Sequence, residues 1–368
     1  MTFEQLKEIV AYYVQSNMIA NGTFTATKDN VAGLLDKVGK MIFIDGDYTD
    51  KLPELNGDDL PLGKSIEEWF EDLAPIFDYD ATGANALAPT DPTYRPVSYS
   101  YSLGKKVFKT TRRYNDLQRA CNTEGDFEAL VIQITKRLYD SAAQFFYDAK
   151  RELLGKFAGA AIAEQSASVV YAKSKEYAVN TILKSSSSSE TRGIVVKAIA
   201  STNTLEWAGA VKAGYIVELN MVETIAIPTD TTTGEAFIKA VKGAVEKAND
   251  TSEGYSLNGA SNGAVEGSLK LYIKQGIMPT IDVDVIAGAF HEEKVAIPAE
   301  LKVIKDFGTA DDKIFAILVD SRGVKLHNDY RAVRDQENAA GDFINYFYHT
   351  ENTAFYSRNT FIKVFKSA

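Results

Sequence analysis

A single cysteine, Cys121, stands in 368 residues, so no intrachain disulfide can form and a fold stapled by disulfides is excluded. That usage suits a chain folding in a reducing compartment, with the thiol as a small buried hydrophobe. Histidine is scarce too: residues 291, 327 and 349 are the three, and none stands in a ligand pattern with another His, Cys or Glu, which leaves a metal site without support. Long apolar runs are missing, since nothing approaches the roughly 18 residues that a bilayer span needs. Near the start, Glu4, Lys7 and Glu8 sit among apolar residues and no basic segment leads an apolar core, so no signal peptide is expected. Positive charge is in deficit. With 40 Lys and Arg against 50 Asp and Glu, the formal net charge is −10, and the molecule as a whole should be repelled by a phosphate backbone. Apolar material is plentiful at 45% of residues, enough for one or two substantial cores in a soluble, unexported chain.

Local patterning predicts a mixed α+β fold. An amphipathic helix is expected over 2–20, closed by Asn21-Gly22. From Asp45 to Asp72, ten acidic residues meet only Lys51 and Lys64, and 64–73 reads as strand. Serine alternates with larger residues in Val97-Ser-Tyr-Ser-Tyr-Ser-Leu103, a strand signature. The basic stretch Lys105, Lys106, Lys109, Arg112 and Arg113 comes next without an acid, and 64–113 reads as one long hairpin. After Gly125-Asp126, apolar residues from Phe127 through Leu138 and Phe145 to Leu153 recur at three- and four-residue spacing. They predict a helix of about 30 residues, about 45 Å long. Residues 157–213, rich in Ala and Ser, predict little beyond a loop at the serine run 185–189. Strand is expected over 215–227, an amphipathic helix over 233–248, strand over 269–273 and a short helix over 281–290. The end of the chain is rich in β-branched and aromatic residues at 301–304, 314–319, 324–326, 343–348 and 355–365, with Ser321-Arg-Gly joining two strands as a hairpin.

Three patterns invite a catalytic reading. Gly259-Ala-Ser261-Asn-Gly263 matches the G-x-S-x-G serine elbow with histidines downstream, which makes a serine esterase at Ser261 the enzyme alternative. An elbow needs an apolar strand ahead of its serine, however, and Asp250 to Asn258 is mostly polar, so a surface loop is expected. Leu62-Gly63-Lys64-Ser65 ends like a phosphate-binding loop, but Asp58 stands where that motif needs glycine, and Asp58 with Asp59 would repel phosphate. Asp282 and Asp284 suit acid–base work, yet acids at the start of a helix are equally explained by its dipole. No catalytic, cofactor or metal residue is assigned. The 105–113 block, with Tyr99, Tyr101, Phe108 and Tyr114 as stacking partners, would suit single-stranded nucleic acid. With the acidic stretch at 45–72 in the same chain, self-association fits better, each patch meeting its counterpart on a neighbouring copy. Lys105, Lys106, Lys109, Arg112, Arg113, Trp69, Tyr99 and Tyr101 are the predicted inter-subunit contacts.

The order of acidic arm, long hairpin, spine helix, mixed middle and C-terminal sheet resembles the tailed-bacteriophage major capsid proteins of the Hong Kong ninety-seven fold, and the phi-twenty-nine-like podophage group in particular. The local matches are Pro61-Leu-Gly-Lys-Ser-Ile-Glu-Glu68, Pro228 to Lys239, Asp282-Val-Asp-Val-Ile-Ala-Gly-Ala-Phe290, and Asn345-Tyr-Phe-Tyr-His349 through Ser357-Arg358. The resemblance implies an N-terminal arm over 1–61, an extended β-hairpin loop over 62–115, and a peripheral domain of 116–156 and 300–368 with a long spine helix and a β-sheet. It further implies an axial domain over 214–299, and leaves 157–213 as an unplaced insertion. By the same resemblance the chain is a structural protein and not an enzyme, without cofactor or membrane. It would self-assemble into pentamers and hexamers of an icosahedral or prolate capsid around packaged double-stranded DNA, bound without sequence recognition. A scaffolding protein and a portal are implied as partners, with assembly in the host bacterial cytoplasm and residence in the virion. Some members of the wider Hong Kong ninety-seven family crosslink a hairpin lysine to a neighbour's asparagine. Lys105, Lys106 or Lys109 with Asn352 or Asn359 would be the counterparts, and nothing in the residues supports that bond. A phage tail-tube or sheath protein is the nearest alternative, assembling into rods instead of shells.

Overall fold

The computed structural model describes residues 8, 11–13, 15–16, 19–20, 23–24, 50–60, 66, 68–71, 94–96, 100–113, 124–166, 169–186, 191–250, 253–260, 267–277, 299–308 and 313–368. The helix expected over 281–290 lies outside them. In chain order the elements are β1 (Ile19–Ala20), β2 (Thr23–Phe24), β3 (Asn56–Asp59), β4 (Trp69–Glu71), β5 (Tyr94–Pro96), β6 (Ser100–Arg113) and α1 (Glu124–Gln165). Next come β7 (Ile182–Lys184), β8 (Arg192–Val195), α2 (Trp207–Lys212), β9 (Ile216–Glu218), β10 (Val222–Thr224), α3 (Thr231–Asn249) and β11 (Leu269–Lys274). The last are β12 (Glu300–Ile304), β13 (Ile314–Asp320), β14 (Val324–Asn338), β15 (Phe343–Tyr356) and β16 (Ile362–Lys366). The chain divides into two units, the first of 1–64, 101–150 and 326–354, the second of 65–100, 151–325 and 355–368.

The first unit is built on a four-stranded sheet of order β3-β14-β15-β6. β3 runs parallel to β14, with Asn56 opposite Leu326. Only residues 339–342 separate β14 from β15, too few for a parallel crossover, so these two long strands form a hairpin. Aromatic rings join sheet and helix: Phe108 lies edge-on to Phe145 at 5.8 Å, and Tyr139 sits 5.1 Å from Tyr348. Burial, aided by Tyr348 and opposed by Arg331, pushes the Tyr139 phenol up to about 12. Near the start of the chain, residues 8, 11–13 and 15–16 are helical, as expected. The expected helix does not reach residue 20, because Ile19–Ala20 pairs antiparallel with Thr23–Phe24, Ala20 opposite Thr23. As a sequence signal, Asn-Gly marks a two-residue hairpin loop as readily as a helix stop.

Expectations for β6 and α1 need correction. Trp69–Glu71 pairs antiparallel with Tyr94–Pro96, whereas Ser100–Arg113 has Phe343–Tyr356 as its sheet neighbour, so the single hairpin expected over 64–113 is two separate pairings. Alternation at 97–103 marks a strand, but a period of two does not say which strand it joins. The first part of that segment, 97–99, lies outside the described residues. Helix α1 runs for 42 residues, about 63 Å at 1.5 Å per residue, and not 30. The Ala-rich stretch after Phe157 extends it, since alanine has the highest helix propensity and Phe157, Ala158 and Ala161 are buried.

The second unit contains a five-stranded sheet of order β10-β16-β13-β11-β12. Every residue of β13 is buried, as befits its central place, and β11 and β16 flank it antiparallel. Helix α3, expected from its periodicity, covers this sheet through Phe237, Ile238, Val241, Val245 and Ala248, which pack on Leu271, Ile273, Phe315 and Phe365. Its start is fixed by a capping box: the Asp230 carboxylate accepts from Thr233 N while the Thr233 hydroxyl receives the Asp230 N–H. The turn Ser321–Gly323 does not make a hairpin. β13 already has a partner on each side, so β14 enters the other sheet. The strand expected over 215–227 is two, β9 and β10, broken where Asn220 N donates to Gly254 O. β9 completes a three-stranded antiparallel sheet with β7 and β8, around Tyr171, Leu183, Val195 and Ile216. This small sheet and α2 organise much of the segment that sequence left unread. The serine run comes after β7, where Ser185 N donates to Thr191 O, and residues 187–189 of it lie outside the described set.

Candidate assembly surfaces

The basic block lies on β6, an outer strand of the first unit's sheet. Strand alternation puts Lys105, Val107, Lys109, Thr111 and Arg113 on one face and Lys106, Phe108 and Arg112 on the other. Phe108 faces Phe145 and Tyr348 in the interior, so it is not offered to a nucleic-acid base. On the outward face, Lys109 stands over the Phe347 ring at 5.7 Å and Lys105 over Tyr330 at 5.6 Å, with Glu351 3.9 Å away. Thr111 donates to Asn345 at 2.7 Å, which ties β6 to β15. Lys105, Lys106, Lys109 and Arg113 are exposed, and Arg112 and Tyr101 are half-buried. Trp69 lies in β4 but its side chain, like Tyr99 and Tyr114, is outside the described residues. Sequence reasoning missed Glu351, Tyr330 and Phe347, since they lie more than two hundred positions downstream of β6. The aromatic run at 345–349 is the one local signal that points toward Phe347 as a surface for a cation.

The acidic stretch proves heterogeneous. Asp50 is committed internally: Lys150, only 1% exposed, donates from Nζ to Asp50 Oδ2 at 2.6 Å and to Leu52 O at 2.9 Å. Burial works to raise the Asp50 carboxyl, and the Lys150 ammonium overcomes it, holding the group below the usual carboxylate range. Asp58 and Asp59 are exposed on β3, where Asp59 accepts from Asn328 at 3.0 Å. Glu68, in the second unit, is instead pushed up by burial, with the Ser357 and Asn359 side chains pulling the other way. Around it lies a polar cluster in which Arg358 pairs with Glu164 and donates to Asn258, while Asn258 donates to Asn359 at 2.9 Å.

A raised carboxyl favours the folded state while protonated and loses that advantage as pH climbs through its folded value. Glu68→Gln, uncharged throughout, is therefore expected to raise the urea midpoint at pH 7.5, on the order of 0.3 M. The difference should shrink toward zero at pH 4, read by urea titration at both values.

The two asparagines weighed as crosslink acceptors, Asn352 and Asn359, are both buried, and Asn352 donates to His327 O at 3.2 Å. Of the enzyme alternative, Ser261 and the paired Asp282 and Asp284 lie outside the described residues. The residues ahead of Ser261, 253–260, form turns and not a strand, with the Ser256 hydroxyl accepting from Ala260 N at 2.7 Å. Among the described residues, no group of three or more His, Cys, Asp or Glu side chains is placed to hold a metal, and no helix is long and apolar enough to cross a membrane.

Comparison with known proteins agrees with the resemblance. Residues 4–365 match the family model of the Phi29-like phage major capsid protein. A major capsid protein of Bacillus phage PZA is 21% identical over 340 residues, covering 91% of this chain and 62% of the relative. That of Bacillus phage B103 is 21% identical over 327 residues, covering 88% and 60%. The chain thus spans about three fifths of the length of these curated relatives. Among solved structures, a chain from the capsid of Staphylococcus phage Andhra superposes with a TM-score of 0.57 at 11% identity, covering 95% of this chain and 90% of that one. One from the mature capsid of bacteriophage PhiM1 gives 0.50 at 6% identity, covering 89% and 92%. These likenesses show the phage-capsid fold, and the match over 4–365 shows the family: the chain belongs to the Phi29-like phage major capsid proteins.

Proposed function

We propose that this chain is the shell-building subunit of a tailed phage, closing into pentamers and hexamers whose union makes an icosahedral or prolate capsid around double-stranded DNA. The observation that carries the reading is the family match across residues 4–365. A subunit that meets its neighbour head to tail closes into rings, and rings joined at their edges close a shell. The net charge of −10 and the inward-facing Phe108 both favour enclosing DNA without reading it. A scaffolding protein and a portal act as partners, assembly takes place in the bacterial cytoplasm, and the product resides in the virion.

Expressing the chain with its phage's scaffolding protein should yield closed particles in negative stain. Dispersed single molecules would overturn the proposal, and open rods would favour the tail-tube alternative.

A further inference from the structure

The first unit's sheet has outer strands of opposite sign. β6 bears Lys105, Lys106, Lys109, Arg112 and Arg113 without an acid, and among the described residues only β15 pairs with it. β3, Asn-Gly-Asp-Asp, is the other outer strand, with Asp58 and Asp59 exposed. Three strand spacings lie between them, about 14 Å at 4.8 Å each, so neither border neutralises the other within one chain. The outward face of β6 also carries apolar surface: Val107 is 49% exposed between Lys105 and Lys109, and Tyr330 beneath Lys105 is 37% exposed. Among the described residues Lys106 and Arg113 have no acidic partner, and Lys105 reaches Glu351 only at 3.9 Å. An apolar centre rimmed by incompletely paired cations has the make-up of a protein contact.

We propose that the β6 border of one copy docks on the β3 border of the next, with Lys105 and Lys109 meeting Asp58 and Asp59 around Val107 and Tyr330, and the exposed Lys106 of the opposite face adding positive charge to the same border. The inference rests on the capsid reading and adds the location and direction of one contact. Since the donating and receiving borders differ, the contact is heterologous, and it builds rings or open filaments instead of isolated two-fold pairs.

Charge exchange tests it. The triple variant Lys105→Glu, Lys106→Glu, Lys109→Glu and the double variant Asp58→Lys, Asp59→Lys should each lower particle yield at least about tenfold by placing like charges together. All five changes in one chain should restore yield to within about twofold of the parent, because pairing is regained with the signs exchanged. Circular dichroism reports whether each variant folds. If one does not, disulfide trapping decides: in a Cys121→Ser background, Asp58→Cys combined with Lys105→Cys, Val107→Cys or Lys109→Cys. Oxidation should bridge neighbours whose Cα atoms come within about 7 Å and give a series of dimers, trimers and larger species without reductant. Normal particles from folded triple and double variants, or no such series from any cysteine pair in assembled particles, would overturn the contact and leave the capsid reading standing. Absence of particles from the parent chain would strike that reading instead.

Discussion

Asp50→Ala is expected to destabilise the first unit by about 3 kcal/mol, because it takes the carboxylate away from a buried ammonium. Lys150 is 1% exposed and donates to Asp50 Oδ2 and to Leu52 O. With Asp50 gone, only a neutral carbonyl is left of these two acceptors. The figure belongs at the low end of the range for broken buried pairs, since the Asp50 side chain is 36% exposed and water can partly replace it. Asp50 also accepts from Leu52 N and from the Asn56 side chain, so its loss loosens the segment leading into β3. Asp50→Asn with Lys150→Met removes both charges together and should be much milder. Urea unfolding of the three proteins at pH 7 checks this, and a single variant as stable as the parent would refute it. The pair also sets an acid limit. A carboxyl held below its ordinary value stabilises the fold above that ordinary value and ceases to do so as pH falls through the depressed one. The parent should therefore lose this contribution only below the usual carboxylate range, whereas Asp50→Asn should show no such loss from this site.

Phe237→Ala is expected to cost the second unit about 3–5 kcal/mol, the range for deleting a fully buried aromatic ring. Phe237 has no exposed surface, and its ring lies 5.4 Å from that of Phe315 and 5.3 Å from that of Phe365. These contacts tie α3 to β13 and β16, so the cavity would open where the helix meets the centre of the sheet. Strands flanked on both sides are poorly able to collapse into a void, which favours the upper part of the range. In thermal unfolding the midpoint should drop by on the order of 10 °C, with Phe237→Leu falling roughly half as far. An alanine variant within a degree or two of the parent would mean that the helix does not depend on this ring.

Those two sites differ in how plainly the sequence announces them. The periodicity of 233–248 places Phe237 on the buried face of a helix, and the β-branched run 314–319 announces a central strand, because both are local patterns set by burial on one side or on both. Asp50 and Lys150 are a hundred positions apart, and no local pattern links a carboxylate to a lysine at that distance. The same limit explains the errors in pairing. Tyr101 and Leu103 mark β6 as a strand, yet its neighbour β15 lies more than two hundred residues on, and only the assembled sheet displays it. Ser321-Arg-Gly has the look of a hairpin turn, but β11 and β16 already occupy both flanks of β13, and that occupancy sends the chain elsewhere. Of the surface residues, the cations of β6 were legible as a block. Their surroundings, Glu351, Tyr330 and Phe347, come from distant segments and were not.

A sheet positive along one border and negative along the other has a direction, as a brick with a tongue and a groove does. However many such bricks are laid in a row, one unmatched tongue and one unmatched groove remain, so an unfinished row never loses its appetite for another. Closing the row on itself is the one arrangement that leaves nothing over. The number in a finished ring is then set by the angle between successive bricks, and the strength of the joint governs how completely rings form.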